Sequence, residues 1–318
     1  MMRKNIVWIL IFFSNFTFGQ NKKNTNHIET SDIKNFWSAY DSLKKLNDST
    51  EKVIQFQNIY INNETVGLRD FIKAKGFTAE SWVASFQSKP KFWESIRGKT
   101  ENIEKNFQDI SKIYKSFGML YKNFKPPKVY FTIGNLKSGG VVINGNLIIG
   151  SELAASDASV DFSELPKTFQ DRMKINSGIT FLTIHELVHT QQKLDDSKKV
   201  NLLGLCLKEG AADFITELLM KKNVEAPYIE FGLKNQCSLW DEFEKEMYGY
   251  NFQKWLFNTA NVKDKPADLG YFMGYIITKN YYEKSKNKKL AVDEILNLDF
   301  SDEIMVGLFL KKSGYICK

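Results

Sequence analysis

The sequence has 318 residues, of which 43% are apolar and 25% are charged. This composition is typical of a folded globular protein and excludes disordered and low-complexity classes. The length allows one large domain or two small ones. The formal net charge of +7 includes lysine pairs scattered along the chain, which predict solvated faces, so we expect no nucleic-acid partner.

Residues 1–19 have the pattern of a secretory signal peptide. A basic start is followed by an apolar run over residues 6–13, and Thr17 and Gly19 occupy positions −3 and −1 of a cleavage point. Small residues at these two positions, after a short apolar run, are the features that signal peptidase recognises. We therefore expect the protein to be exported, to the periplasm or the extracellular space.

The same segment argues against a membrane anchor. Eight apolar residues are too few to cross a hydrocarbon layer about 30 Å thick. No cysteine lies near the cleavage point, which disfavours a lipid anchor. No second long apolar run follows, so we expect no stable membrane span in the mature chain.

Residues 20–125 predict a helical N-terminal region. Apolar residues recur at the spacing of one buried helix face, and the region contains Trp37, Trp82 and Trp93. An aromatic stripe of this kind can bind sugars, but at helical spacing it more often belongs to a core. We expect the region to pack on the following half as a helical cap. A removable pro-segment is the alternative.

The second half, residues 126–318, begins with a predicted small sheet. Pro126-Pro127 ends the helices, and a strand pattern follows over residues 128–133. Between the apolar runs of residues 141–149 stands Asn144-Gly145, the dipeptide that favours a tight hairpin turn. Helical patterns then fill the rest of the chain, so the fold class is α+β and predominantly helical.

Residues 183–190 carry the motif that organises the chain. His185, Glu186 and His189 form His-Glu-x-x-His within an apolar helical run. Two histidines four residues apart share one face of a helix and are able to bind one Zn²⁺, with the glutamate beside the metal-bound water. The alternative is a buried helix with two hydrogen-bonded core histidines.

A third ligand is expected from the next helical segment, residues 200–222. Glu209 and Asp213 are again four residues apart and share a face. Glu209 is placed to complete the metal site, and Asp213 to accept the second ring N–H of a ligand histidine. Gly210 and the alanines after it allow helices to approach closely. The alternative for Glu209 is an ordinary solvated carboxylate.

This pattern resembles the gluzincin metallopeptidases of the thermolysin type. The resemblance implies His185, His189 and Glu209 as zinc ligands, Glu186 as general base and Asp213 as the partner of a ligand histidine. It also implies a zincin-like catalytic half, in which a small sheet lies beside the motif helix. The sequence lacks thermolysin's downstream histidine, so substrate preference does not carry over.

A second resemblance rests on Glu-Gly-x-Ala-Asp-Phe from residue 209 and Gly-Tyr-x-x-Gly-Tyr over residues 270–275. These motifs are similar to a bacterial family of unknown function described as predicted zinc-dependent proteases. By the first resemblance, the edge of the hairpin lines a substrate cleft, because an unpaired strand edge binds extended peptides. A hairpin confined to the core is the equal alternative.

The leading hypothesis is thus a secreted zinc metallopeptidase with one Zn²⁺ per chain and a peptide or protein substrate. Zinc lowers the pKa of its water to about 7, and Glu186 accepts the proton during attack on a carbonyl. Tyr271 and Tyr275 are the candidate oxyanion donors, with Tyr248 and Tyr250 as alternatives. Two rival hypotheses are a zinc amidase acting on cell-wall peptides and a non-catalytic envelope or surface-assembly protein with structural zinc.

The chain has three cysteines, Cys206, Cys237 and Cys317. Cys206 falls in the predicted second metal helix and is expected to be a small buried residue. Cys237 and Cys317 are able to pair in an oxidising compartment, but their positions in the sequence do not decide it.

Overall fold

The computed structural model describes residues 27–173, 178–195, 197–258, 262 and 264–317. The predicted signal peptide, residues 1–19, lies outside the described residues. The described chain is predominantly helical with a small sheet, so the expected α+β class is confirmed.

The N-terminal half is a layer of helices around aromatic side chains. Its helices are α1 (Ser31–Leu43), α2 (Ser49–Ile59), α3 (Val66–Lys75), α4 (Ala79–Ser88), α5 (Pro90–Glu101) and α6 (Phe107–Leu120). Trp37, Trp82 and Trp93 are all buried, as the core interpretation of the aromatic stripe predicts. Thr65 and Thr78 cap α3 and α4 by accepting backbone N–H groups, which satisfies donors that a helix start leaves free.

The sheet of the described residues has the strand order β1 (Ile28–Glu29), β2 (Val129–Thr132), β4 (Asn146–Gly150), β3 (Gly140–Ile143). Strands β3 and β4 form the antiparallel hairpin expected from Asn144-Gly145. Both turn residues have positive φ, 52° and 73°, as a type I′ turn requires. Strand β3 is half-buried at one edge of the sheet, whereas β4 is nearly all buried.

Two buried side chains join the N-terminal helices to the sheet. The Tyr60 hydroxyl donates to the carbonyl oxygen of Ile133 at 2.6 Å, and the Trp82 indole N–H donates to that of Gly134 at 2.7 Å. These carbonyls lie just beyond β2, so the helical layer is hydrogen-bonded directly to the chain that follows that strand. These hydrogen bonds join the N-terminal helices to the sheet, and the division of the chain into two regions at residue 125 stays a prediction.

The second half continues as helices that surround the motif. They are α7 (Ser151–Ala154), α8 (Lys167–Met173), α9 (Gly178–His189), α10 (Leu202–Met220), α11 (Pro227–Lys234), α12 (Gln236–Glu246), α13 (Leu269–Lys284), α14 (Lys288–Asn297) and α15 (Glu303–Ser313). Helix α9 packs between the β3–β4 hairpin and α10. The small sheet beside the motif helix is therefore present.

Helices α10 and α13 touch through their backbones. A Cβ atom added to Gly274 would lie 1.7 Å from the carbonyl oxygen of Cys206, and one added to Gly210 would lie 2.0 Å from the backbone nitrogen of Tyr275. No side chain larger than hydrogen fits at either position. The contact fixes α10, which carries Glu209 and Asp213, against α13.

None of the helices in the described part of the chain is long and apolar enough to cross a membrane.

A buried carboxylate holds the loop between β2 and β3. Glu152 accepts the backbone N–H groups of Gly134 at 2.9 Å and Leu136 at 3.1 Å. Leu136 has a φ of 61°, a conformation that costs a non-glycine residue energy. Complete burial raises the pKa of Glu152 from 4.5 to about 7, because burial disfavours the ionised form.

We expect this carboxyl group to make stability depend on pH. Its folded pKa is raised, so its contribution is complete below about pH 4.5 and is lost as the pH rises through 7. The loss is about 3 kcal/mol of unfolding free energy. Glu152→Gln should flatten this decline in urea titrations between pH 4.5 and 8. The exposed Glu225→Gln control should keep the wild-type slope, and an unchanged slope in Glu152→Gln would contradict the assignment.

Candidate metal centre

Helix α9 brings the two motif histidines together. Ile184, Leu187 and Val188 are fully buried and hold the helix between the hairpin and α10. His185 and His189 therefore emerge on the same side, one turn apart. Their ring centroids lie 4.7 Å apart in a T-shaped arrangement.

Three side-chain atoms converge at one point. The distance from His189 Nε2 to His185 Nε2 is 3.0 Å, that from His189 Nε2 to Glu209 Oε2 is 3.1 Å, and that from His185 Nε2 to Glu209 Oε2 is 3.5 Å. Tetrahedral zinc with bonds of about 2.05 Å separates its ligand atoms by about 3.3 Å. These three residues are thus a possible metal-binding triad, and their atoms are spaced as a metal requires.

The opposite nitrogen of each histidine is held by a hydrogen-bond acceptor. His185 Nδ1 lies 2.8 Å from Asp213 Oδ1, and His189 Nδ1 lies 2.6 Å from Gln192 Oε1. Each Nδ1–H therefore donates to its acceptor, and the two Nε2 atoms that face each other are the ones available to a metal. Acceptors of this kind set the tautomer and orientation of metal-bound histidines.

These acceptors are themselves fixed. The Tyr228 hydroxyl donates to Asp213 Oδ2 at 2.8 Å, and Gln192 Nε2 donates to the carbonyl oxygen of Lys208 at 2.8 Å. Burial and the charge of Asp213 raise the pKa of Tyr228 well above its usual value, so the phenol keeps the proton that it donates. The histidines are thus oriented by Asp213 and Gln192, and these two residues are in turn held by Tyr228 and by the backbone of Lys208.

The electrostatics favour an ionised ligand set. Burial alone would raise the pKa of Glu209, but the charges of His189 and Lys208 outweigh it and hold the pKa well below its usual value. Burial lowers the pKa of His185, yet hydrogen bonds to Asp213 and Glu209 raise it to about 10. A divalent cation satisfies the same negative groups, and its binding releases the imidazole proton.

Lys208 controls how Glu209 presents its carboxylate. Its Nζ donates to Glu209 Oε1 at 2.8 Å, whereas Oε2 is the oxygen that faces the histidines. One oxygen is therefore committed to the lysine and the other is left for a metal. This arrangement favours single-oxygen coordination by Glu209.

Glu186 lies at the edge of the site against strand β3. A Cβ atom on Gly140 would lie 2.6 Å from Glu186 Cγ, so the strand contacts this side chain only because residue 140 is glycine. Within the described residues no hydrogen bond or ion pair involves the Glu186 carboxylate. In this part of the chain, the carboxylate that follows His185 in sequence thus has no structural partner.

The two candidate tyrosines have different surroundings. The Tyr271 ring stacks on His185, with centroids 6.1 Å apart, so Tyr271 belongs to the site. Tyr275 is engaged elsewhere: its hydroxyl donates to Glu217 Oε2 at 2.8 Å and accepts from Lys279 Nζ at 2.9 Å. The alternatives Tyr248 and Tyr250 are exposed.

Three residues of the site were not expected from the sequence. Lys208 directly precedes Glu209, and Gln192 follows His189 by three residues. The i, i+3 spacing of His189 and Gln192 is a signal that the sequence alone contains. Tyr228 arrives on α11 from a separate part of the chain, and no local pattern indicates it.

A model of the family described as "Gliding motility protein GldB", labelled GldB_lipo, matches residues 19–265, which is more than half of the chain. The chain belongs to this family. No curated protein and no solved structure matches it.

The family assignment corrects the main functional hypothesis. The chain is a member of a gliding motility lipoprotein family, not of a zinc metallopeptidase family, so its identification as a gluzincin-type hydrolase is wrong. The roles of general base for Glu186 and of oxyanion donor for Tyr271 and Tyr275 follow only from that hypothesis. The physical reason is that ligand spacing specifies a metal site, whereas the same site occurs in proteins of unrelated function.

Membership also bears on the location of the protein. A lipoprotein family consists of exported proteins associated with the cell envelope, so the expected export is confirmed at that level. The first cysteine of the sequence is Cys206. The expectation that the chain has no lipid anchor stays a prediction, since residues 1–26 lie outside the described part.

We expect Gly274→Ala to damage the metal site from a distance. The added methyl group overlaps the backbone of Cys206, so α10 and α13 must separate, which costs about 1–3 kcal/mol of unfolding free energy. Displacing α10 moves Glu209 away from the histidines and should lower zinc affinity. Gly98→Ala is the matched control, because nothing lies within 4 Å of its added Cβ on α5. Wild-type stability and zinc affinity in Gly274→Ala would contradict the role of the helix contact.

We expect Asp213→Asn to weaken metal binding by about 10–100-fold, the usual effect of losing the partner of a ligand histidine. The amide has no negative charge and presents an NH₂ group to either His185 or Tyr228. Competition with a chromogenic zinc chelator measures the affinity. Tyr228→Phe removes only one donor to Asp213 and should have a smaller effect; equal affinity in Asp213→Asn and the wild type would refute the assignment.

Proposed function

We propose that this member of the GldB family is an exported envelope component of the gliding motility apparatus, in which one Zn²⁺ acts as a structural clip. The zinc ligands are His185, His189 and Glu209. The observation that carries the proposal is the convergence of their Nε2, Nε2 and Oε2 atoms, with both histidine tautomers already fixed.

The donor set favours zinc over other common divalent ions. Two imidazole nitrogens with one carboxylate oxygen suit Zn²⁺, whereas Ca²⁺ and Mg²⁺ prefer all-oxygen sites with six or more ligands. The near-equal separations of the three atoms fit tetrahedral geometry. Copper and nickel bind similar ligands, so the identity of the ion rests on geometry together with the metal supply of the cell.

A structural role follows from what the ligands connect. His185 and His189 belong to α9, and Glu209 belongs to α10, so a bound ion ties the two helices together. His185, Glu209 and Asp213 are buried and His189 is half-buried, and Glu209 and Asp213 crowd His185 there. A divalent cation compensates this negative charge, and its binding energy becomes folding energy.

The arrangement of the helices and the sheet around the triad supports a zincin-like scaffold whose role is structural. The motif helix lies beside a small sheet, and the glutamate helix lies against it. We propose that this scaffold faces the periplasm or the cell exterior, where other components of the apparatus are accessible to it.

The metal part of the proposal is tested by removing the ion. Purified protein should contain about one zinc per chain by mass spectrometry of the metal content. Chelation should lower the melting temperature, and added Zn²⁺ should restore it, because the metal binds only the folded site. His189→Ala should contain no zinc and melt at the chelated temperature. Full thermal stability without zinc would refute the structural role.

The same variants distinguish a clip from a catalyst. Glu186→Gln should keep zinc and melting temperature, and it should restore spreading on agar to a gliding strain that lacks this protein, because a clip does not use that carboxylate. His189→Ala should fail to restore spreading. Glu80→Gln, a change on an exposed helix face, controls for expression. Loss of spreading in Glu186→Gln, with zinc and stability intact, would overturn the non-catalytic role.

A further inference from the structure

Two of the three cysteines meet in the folded protein although 79 residues lie between them. Cys237 is exposed at the start of α12, and Cys317 is half-buried in the tail that follows α15. Cys206, in contrast, is fully buried in α10. Two thiols are therefore accessible from solvent, and one is not.

The C-terminal tail is fixed at its base by α13. Asn280 Nδ2 donates to the carbonyl oxygen of Ser313 at 2.6 Å, and Lys284 Nζ donates to that of Gly314 at 2.8 Å. Gly314 ends α15 with a φ of 55°, which turns the chain out of the helix. The tail therefore leaves α15 in a defined direction.

Tyr315 then places the tail on α12. Its ring packs against Trp240 with centroids 5.2 Å apart, and its hydroxyl lies 3.5 Å from Gln236 Oε1. Residue 317 therefore lies beside residue 237. The Cys237 thiol, together with burial, raises the pKa of the Cys317 thiol to about 11.

We propose that Cys237 and Cys317 form a disulfide bond in the exported protein. Compartments outside the cytoplasm are oxidising, and adjacent thiols pair there. The co-reactant is a small disulfide such as glutathione disulfide: one protein thiolate attacks it and releases one thiol, and the second protein thiolate then displaces the other. The two cysteines lose two electrons and two protons, and the small disulfide gains them as two thiols.

The bond closes a loop that contains α13, the helix that supports α10. Closing a long loop restricts the unfolded chain and so stabilises the folded one. Cys317 lies beyond the segment that the family model matches, residues 19–265.

Mass spectrometry of the full chain tests the bond. After incubation with glutathione disulfide and denaturing alkylation, we expect one alkylated cysteine, Cys206, and a cross-linked peptide pair that contains residues 237 and 317. Reduction before alkylation should label all three cysteines. Separate glutathione adducts on Cys237 and Cys317, or a link between two chains, would overturn the proposal.

Melting temperature provides an independent measurement. The oxidised wild type should melt roughly 5 °C above the reduced wild type. Cys237→Ser and Cys317→Ser should each melt at the reduced temperature under both conditions, and Cys206→Ser should retain the difference. The same melting temperature for the oxidised wild type and Cys237→Ser would contradict the bond.

Discussion

The backbone contact between α10 and α13 determines the geometry of the metal centre. Gly210 and Gly274 bring the two helices so close that any side chain at these positions drives them apart. Glu209 and Asp213 stand on either side of the contact on α10, and Tyr271 lies one turn before it on α13. The position of the carboxylates against His185 thus follows from helix packing and does not depend on a flexible loop.

Local patterns in the sequence predict most of the site. The i, i+4 spacing places His185 above His189, and the same spacing places Glu209 and Asp213 on one face of α10. The Asn-Gly turn predicts the hairpin beside α9. Each of these inferences uses residues fewer than ten positions apart, for which helix and turn geometry alone determines the arrangement.

Features that depend on distant residues were not predictable in this way. The helical pattern expected for the rest of the chain is interrupted after Glu246, where α12 ends. The chain there turns to cover the start of α10, since the N–H groups of Leu202 and Leu203 donate to the carbonyls of Gly249 and Met247. Tyr228 reaches Asp213 through the same kind of long-range packing. Function is even harder to predict from local sequence patterns, since a metal triad stabilises one protein and catalyses a reaction in another.

The three proposed ligands, His185, His189 and Glu209, lie within 25 consecutive residues. A cation that joins them closes a short loop, which costs little chain entropy compared with pairing β1 and β2 across a hundred residues. We therefore expect α9 and α10 to be the earliest tertiary contact that zinc is able to stabilise while the exported chain folds. The order in which the protein assembles would then depend on when the metal arrives.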